Sequence, residues 1–186
     1  MIASLLTALL LTATPAPLEV VKTGNTEVQK IASKRDATVE QLAGVVDHFV
    51  DFAELSRRAL GEPWNKLTPA QRKDFTTEMQ GLLRASYAKK ALGQGRTQVL
   101  YGKESVTGNE AGVTTTVVVN RDRYPVDYKL YRSDEKGEWR IYDVVTDSVS
   151  LLEVYQEQFR KLMASKGFDG LLATLKAKRA QLEKTL

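Results

Sequence analysis

Apolar residues recur at helical spacing through the first half of the chain, alternate through its middle, and return to helical spacing near its end. Leu18 to Lys34 predicts a first amphipathic helix, weakened by Gly24 and Asn25. Asp36 or Thr38 can cap a second, whose stripe holds Leu42, Val45, Val46 and Phe49. Asp51 opens a third, DFAELSRRALG, with Phe52, Leu55 and Ala59 on one side and Gly61 as its stop. Thr68-Pro69-Ala70-Gln71 combines a cap, a proline at the first helical position and a glutamine where a capping box needs one. The helix it starts should reach about Leu92, turn Phe75, Met79, Leu82, Leu83 and Tyr87 inward, and stop at Gly93 and Gly95.

From Arg96 to Asp147 the period changes to two. Four strands are expected near 97–106, 111–120, 124–132 and 138–147, separated by Gly108-Asn109, by Asn120-Arg121-Asp122 and by Asp134 to Gly137. Val113, Thr115, Val117 and Val119 alternate on the second, and Val126, Tyr128 and Leu130 on the third. Connections this short build an antiparallel meander.

The stretch Trp139 to Phe159, WRIYDVVTDSVSLLEVYQEQF, passes from strand to helix within a few residues, and the rest of the chain is organised around it. Strict alternation puts Trp139, Ile141 and Val145 on one face with Asp143 among them, and Tyr142 and Val144 on the other. Ile141 to Val145 reads as a central strand covered on at least one side. Asp147, Ser148 and Ser150 offer caps to a helix over 149–165, with Leu152, Tyr155, Phe159 and Leu162 as its stripe. Gly167 breaks the chain, and a last helix presents Leu171, Leu172, Leu175 and Leu182. Helices, then a sheet, then helices make one α+β domain: an antiparallel sheet of four strands, or five, flanked by N- and C-terminal helices.

Composition narrows this only a little. A length of 186 residues with 42% hydrophobic and 27% charged suits a single globular domain with a sizeable core. Without cysteine, disulfides and most zinc sites are excluded, and the lone His48 leaves no histidine cluster for a metal. A net charge of +4 admits an anionic partner without choosing one. Ile2 to Leu11 has the size of a signal-peptide core and is too short to span a bilayer. The expectation is a signal segment over 1–16, lacking a basic n-region and ending at Ala13 or Ala16, followed by one domain over 17–186.

Three ordered stretches carry a resemblance. The first is Asp51-Phe52, Leu60-Gly61 and Trp64, running into Leu67-Thr68-Pro69-Ala70-Gln71-Arg72 and Phe75. The second is Pro125-Val126-Asp127-Tyr128 with Leu130, then Trp139 and Tyr142-Asp143-Val144. The third is Ser148-Val149-Ser150-Leu151, Tyr155, Gln158-Phe159, closing on Gly167-Phe168-Asp169-Gly170-Leu171 and Leu175. Over roughly residues 39–178 the chain resembles the MlaC family of periplasmic phospholipid-binding, or toluene-tolerance, proteins, and the region before Thr38 lies outside the match. Ser148 stands where the family usually has glycine, and Gln156 where an arginine is common.

The resemblance implies a periplasmic carrier holding phospholipid tails in an apolar cavity between a curved sheet and its helices. It implies exchange with the MCE-domain subunit of an inner-membrane ABC transporter and with an outer-membrane lipoprotein–porin complex. It implies no catalytic residue, metal or cofactor, only phospholipid as cargo, and we expect a monomer that touches a membrane surface transiently. Each acyl methylene is worth about 0.8 kcal/mol when removed from water, so a bare tail costs on the order of 10 kcal/mol and must be covered by protein.

Candidates to cover it are Phe52, Leu55, Leu60, Trp64, Phe75, Met79, Leu83 and Tyr87 on helices. Val117, Val119, Tyr128, Leu130, Val144, Leu152, Tyr155 and Phe159 can face them from the sheet and the C-terminal helix. Taken one by one, such residues are as well explained by a filled core, and only the resemblance turns some of them into a pocket. Tyr87, Tyr128, Tyr142 and Tyr155 suit a pocket mouth, having an apolar body and a polar tip. Arg57-Arg58, Lys89-Lys90, Arg121 with Arg123, and Lys176, Lys178 and Arg179 can meet a phosphate or an anionic bilayer, or simply be solvated.

Two other readings stay open on the residues alone. A small enzyme in the same cone-shaped pocket has Asp143, Asp127 and His48 as its acid–base groups. Against it, Asp143 is better placed to accept hydrogen bonds at the strand-to-helix corner. Nucleic-acid binding is disfavoured, because no strand interleaves aromatic and basic residues and no helix is densely basic on one face.

Overall fold

The computed structural model describes residues 14–93 and 97–184, with residues 88–93 described by their backbone alone. Residues 1–13 of the expected signal segment, the Lys89 and Lys90 side chains and the Gly95 stop lie outside the described residues. In chain order the elements are α1 (Pro17–Ala32), α2 (Val39–Phe49), α3 (Phe52–Leu60), a 3-10 turn (Glu62–Lys66) and α4 (Pro69–Gly93). The sheet follows as β1 (Gln98–Thr107), β2 (Glu110–Val119), β3 (Asp122–Tyr131), β4 (Arg140–Thr146) and β5 (Val149–Ser150), and α5 (Leu151–Glu183) closes the chain.

The helix starts follow the cap chemistry. Thr38 makes a full capping box with Gln41, and Asp51 accepts the Glu54 N–H (2.9 Å). At α4 the Gln71 side chain accepts the Thr68 N–H (2.9 Å) while the Thr68 hydroxyl accepts the Gln71 N–H (3.2 Å). Gly61 ends α3 at φ 67°, and Gly167, at φ 66° and ψ −172°, breaks α5 inside its length as expected. Both are backbone conformations that favour glycine.

The five strands form one antiparallel meander in the order β1-β2-β3-β4-β5, so the α+β expectation holds and the fifth strand is real, though only two residues long. β4 is not central: it lies between β3 and this short strand. Its apolar run is explained differently, by protection of its outer side at both ends. Val50 bridges Ile141 in parallel, the Asp51 N–H donates to the Ile141 carbonyl (2.8 Å), and β5 pairs Val145 and Thr146.

Nor does alternation hold along β4. Lys129 pairs with Asp143 and Leu130 with Ile141, which leaves Tyr142 as the extra residue of a bulge. The bulge resets the faces. Ile141 and Val144 pack in one apolar cluster with Trp139, while Tyr142 packs in another. A second irregularity, between Tyr101 and Glu104 of β1, adds a further bend.

Among the described residues, most buried apolar side chains fall into two clusters, with Leu42, Ala43 and Ala85 outside both. One unites α3, α4 and α5 around Phe75, whose ring meets Phe159 edge-on at 5.4 Å and lies 6.4 Å from Trp64. The other packs Val21 of α1 against Val113, Leu130 and Ile141 of the sheet and Trp139 just before β4. β4 contributes to both, Tyr142 to the first and Ile141 to the second, and leads through β5 into the corner where α5 begins. There Asp143, 1% exposed, accepts the Ser150 hydroxyl (2.6 Å) and the Leu152 N–H (2.9 Å), with Lys129 Nζ at 2.9 Å. Ser150 caps α5 by accepting the Glu153 N–H (3.1 Å), so the helix begins at Leu151 and not at 149.

Asp147 and Ser148 do not cap; they form the two-residue turn between β4 and β5, at φ 50° and 65°. A side chain at positive φ is strained by about 1–2 kcal/mol, which gives a physical reason for glycine at this position. Ser148→Gly should therefore raise stability by about 1 kcal/mol in a urea melt. Asp143→Ala should lower it by about 2–4 kcal/mol, because it strands the Ser150 hydroxyl, the Leu152 N–H and the Lys129 charge.

Candidate functional site

Between the two clusters the chain leaves a cavity of about 390 Å³, open to solvent. This is within the ~300–1,000 Å³ range of small-molecule sites. Its walls come from seven elements. Val21, Gly24, Asn25 and Val28 stand on α1; Leu42, Ala43, Val46 and Phe49 on α2; Phe52 and Leu55 on α3; Leu83, Arg84 and Tyr87 on α4. Tyr128 of β3, Ile141, Tyr142, Asp143, Val144 and Thr146 of β4, and Val50 and Leu151 complete it. The lining is overwhelmingly aliphatic and aromatic.

Local sequence explains how these elements stay apart. α1 approaches α2 through Gly24, where a Cβ would come 3.1 Å from the Phe49 ring. The α2–α3 elbow is tied to the sheet: Arg140 Nη2 donates to the Asp47 and Val50 carbonyls (3.0 Å each), and the Tyr131 hydroxyl donates to Asp51 Oδ2 (2.7 Å). α4 is tied to α2 by Arg84 and Gln80, which both bond the Asp47 carboxylate. Helices pinned at their ends and elbows cannot slide together to fill the gap.

Of the sixteen apolar candidates, Phe52, Leu55, Leu83, Tyr87, Tyr128 and Val144 line this cavity. The structure places the other ten elsewhere. Leu60, Phe75, Met79, Tyr155 and Phe159 are packed in the helical cluster, with Trp64 against it, and Leu130 is packed against the sheet. Val117 and Val119 are half-buried on β2, opposite Tyr124 and Asp122. Leu152 belongs to the helical cluster and borders a second, polar cleft. Sequence reasoning passed over the walls from α1 and α2. Gly24 marks the close approach of α1 to Phe49 of α2, which signals a contact and not the cavity beside it.

The polar cleft, about 370 Å³, is lined by Arg57, Arg58, Gly61, Glu62, Asn65, Lys129, Tyr142, Leu152 and Gln156. Its cations are already paired: Arg57 and Arg58 with Glu54 (2.6 Å each), Arg58 also with Glu110 (2.6 Å), and Lys129 with Asp143. Burial would raise the Glu54 carboxyl, but the hydrogen bonds and charges of Arg57 and Arg58 outweigh it and hold the group below the usual carboxylate range. Arg58 also lies 3.8 Å over the Tyr142 ring, which forms part of the wall of both cavities. Gln156 donates to the Arg58 carbonyl (3.1 Å).

Among the acid–base candidates, Asp143 reaches the cavity wall but spends both oxygens on the corner. Asp127 and His48 do not line it, and His48 is exposed on α2 with Nδ1 2.7 Å from the Gly44 carbonyl oxygen. Arg121 and Arg123 are exposed at the β2–β3 turn. Arg179 bonds Glu183 (2.7 Å) and pairs with Glu78 (3.5 Å).

The buried phenols resist ionisation. Burial, then the Glu110 hydrogen bond and charge, push Tyr142 up to about 12, and burial pushes Tyr155 up to about 12. Burial raises Tyr128 as well. In the unfolded chain such phenols lose their protons near pH ~10, so the unfolded state alone deprotonates as pH climbs from there towards ~12. Stability should be unaffected by these groups below pH ~10 and fall across that window. Urea midpoints followed with the phenolate absorbance test this; a native state that ionises all its tyrosines near pH ~10 would contradict it.

The helices and sheet superpose on a solved phospholipid-binding protein from Ralstonia solanacearum, determined in complex with a phospholipid. The match has a TM-score of 0.83 at 24% identity and covers 91% of this chain and 99% of that one. Among the described residues no helix is long and apolar enough to cross a membrane. The family model described as "MlaC protein" matches residues 18–177, so α1, which lay outside the motif resemblance, falls within the match. The chain belongs to the MlaC family.

Proposed function

We propose that the protein is a phospholipid carrier whose acyl chains occupy the cavity between the two apolar clusters. The observation that carries this reading is the cavity itself, a largely apolar space walled by seven elements whose helices are tied by polar bonds at Asp47 and Asp51. Close-packed domains do not normally keep such a space, because unfilled apolar walls forfeit dispersion contacts. An acyl chain repays the loss at about 0.8 kcal/mol per methylene taken from water. The phospholipid held by the Ralstonia protein of the same fold supports the choice of ligand.

Binding rather than catalysis is the activity we propose, with phospholipid as cargo and no cofactor. Family membership supports a periplasmic location, with residues 1–16 as a signal segment and 17–186 as a single, monomeric domain. It also supports exchange with the MCE-domain subunit of an inner-membrane ABC transporter and with an outer-membrane lipoprotein–porin complex. Six of the candidates, Phe52, Leu55, Leu83, Tyr87, Tyr128 and Val144, would touch the tails directly, together with Val21, Val28, Leu42, Val46 and Phe49. Of the remaining ten, Leu60, Trp64, Phe75, Met79, Leu130, Leu152, Tyr155 and Phe159 would act through the packing of the two clusters that border the cavity.

Native mass spectrometry of protein purified without detergent should show co-purifying phospholipid; protein that stays empty after incubation with vesicles would overturn the reading. Leu83→Asp sets a carboxylate on the cavity wall and should cut occupancy about tenfold or more while the domain stays folded. Tyr155→Asp acts differently, because Tyr155 is packed on Phe159 at 5.4 Å. It should lower the melting temperature as well as the occupancy.

A further inference from the structure

The apolar lining does not stop at the mouth of the cavity. Directly paired residues of antiparallel strands share a face, so the ladder register follows that lining outwards row by row. Tyr128 and Val144 pair, and both line the cavity. One row nearer the β2–β3 turn, Tyr101, Thr115, Val126, Thr146 and Val149 stand side by side across the sheet. In the row beyond, Val99, Val117 and Tyr124 do the same across β1 to β3. None of these positions carries a charge. Exposure rises in the same direction: on β3, Leu130 is 0% exposed, Tyr128 and Val126 are half-buried, and Tyr124 is 44% exposed. Beside them Thr146 is exposed and Val149 is 55% exposed. Thr146 and Tyr87 are the exposed members of the cavity lining, so the cavity opens beside them and onto these rows.

An uncharged, solvent-facing apolar surface of this kind marks an interaction site. We infer that the apron formed by Val117, Tyr124, Val126, Thr146 and Val149 is a docking surface for a lipid bilayer, against which the cavity opens while a phospholipid enters or leaves. This inference rests on the carrier reading and says where the protein touches the source of its cargo. The apron continues the cavity wall, so whatever covers it lies against the opening. An acyl chain crossing from a bilayer seated there stays out of water along its whole path. The charged residues bordering the apron, Arg121, Asp122 and Arg123 about the β2–β3 turn and Asp147 in the β4–β5 turn, balance in sign. That suits the net-neutral surface of a zwitterionic membrane and supplies no field to steer a highly charged partner. Tyr87 and Tyr124 add phenol rings of the kind that settle at the level of lipid headgroups.

The chain has no cysteine, so a single introduced thiol carries a polarity-sensitive fluorophore to one chosen position. Val149→Cys and Tyr124→Cys place it on the apron, and Pro125→Cys places it beside Tyr124 on the opposite face of β3. Lipid-free, full-length protein is mixed with an excess of phosphatidylcholine vesicles. Both apron labels should shift to the blue, with the Pro125 label unchanged. The shift should disappear when the vesicles are removed, although the loaded lipid stays bound. Apron labels that remain in water while lipid is loaded overturn the inference and leave the surface to a protein partner or a second copy. A Pro125 label that responds as strongly, or a shift that persists without vesicles, overturns it too.

A surface that meets the bilayer only during transfer changes the rate of loading and not its end point. Val149→Asp and Tyr124→Asp should each slow loading from the vesicles about tenfold, the scale of setting a carboxylate against hydrocarbon in place of an apolar side chain. Both should still reach the wild-type occupancy in native mass spectra and melt cooperatively. That separates them from Leu83→Asp, which lowers the occupancy itself. If both aspartate variants load as fast as the wild type, the docking surface is wrong and the carrier reading stands. Wild-type protein that never loads defeats the carrier reading, and the docking surface with it.

Discussion

One carboxylate sets the geometry on which the rest depends. Asp143 stands in the middle of β4 and takes hydrogen bonds from the cap residue and the first turn of the helix that follows, with a lysine from the neighbouring strand closing the group. A buried charge is tolerable only with such a complete set of partners, so the direction in which α5 leaves the sheet is narrowly defined. The bulge at Tyr142 belongs to the same device. It turns Tyr142 towards the helical cluster and leaves Ile141 and Val144 with the sheet cluster. One strand thus serves two cores and cannot let them merge.

The space between them follows. α3, α4 and α5 pack on one another around Phe75, and α1 packs on the sheet. α2 bridges the two from behind, anchored by Asp47 and by the elbow at Asp51. The polar ties resist collapse of the walls, and the apolar walls favour a hydrocarbon occupant. The most polar ground nearby, the cleft on the far side of Tyr142, has already spent its charges on itself. Cationic side chains alone would have pointed there, and the pairing of those side chains points away from it.

Apolar residues proved legible as buried and much less legible as lining. Phe75, Met79 and Phe159 are buried as fully as their spacing implies, yet they fill the protein's own core. Tyr87 and Tyr128, which have a polar tip, do reach the cavity. The walls supplied by Val21, Asn25 and Val28 went unassigned because nothing in a single helical stripe tells a face that meets protein from one that meets a void. Both faces need the same residues, since both exclude water.

The sequence by itself determined the elements, because each rests on interactions a few residues apart. These are the capping boxes at Thr38 and Thr68, glycines at the positive-φ stops, the two-residue turns, and the change of period from helical to alternating. It also carried enough ordered motif to identify the family. Only the tertiary structure decided that β4 lies next to an edge, that a bulge reverses its faces, and which stripes pack on protein and which on empty space. Those outcomes depend on contacts between residues far apart in the chain, such as Val50 with Ile141 and Tyr128 with Asn25. Periodicity reports that a side chain avoids water, and three-dimensional packing alone determines what takes the water's place.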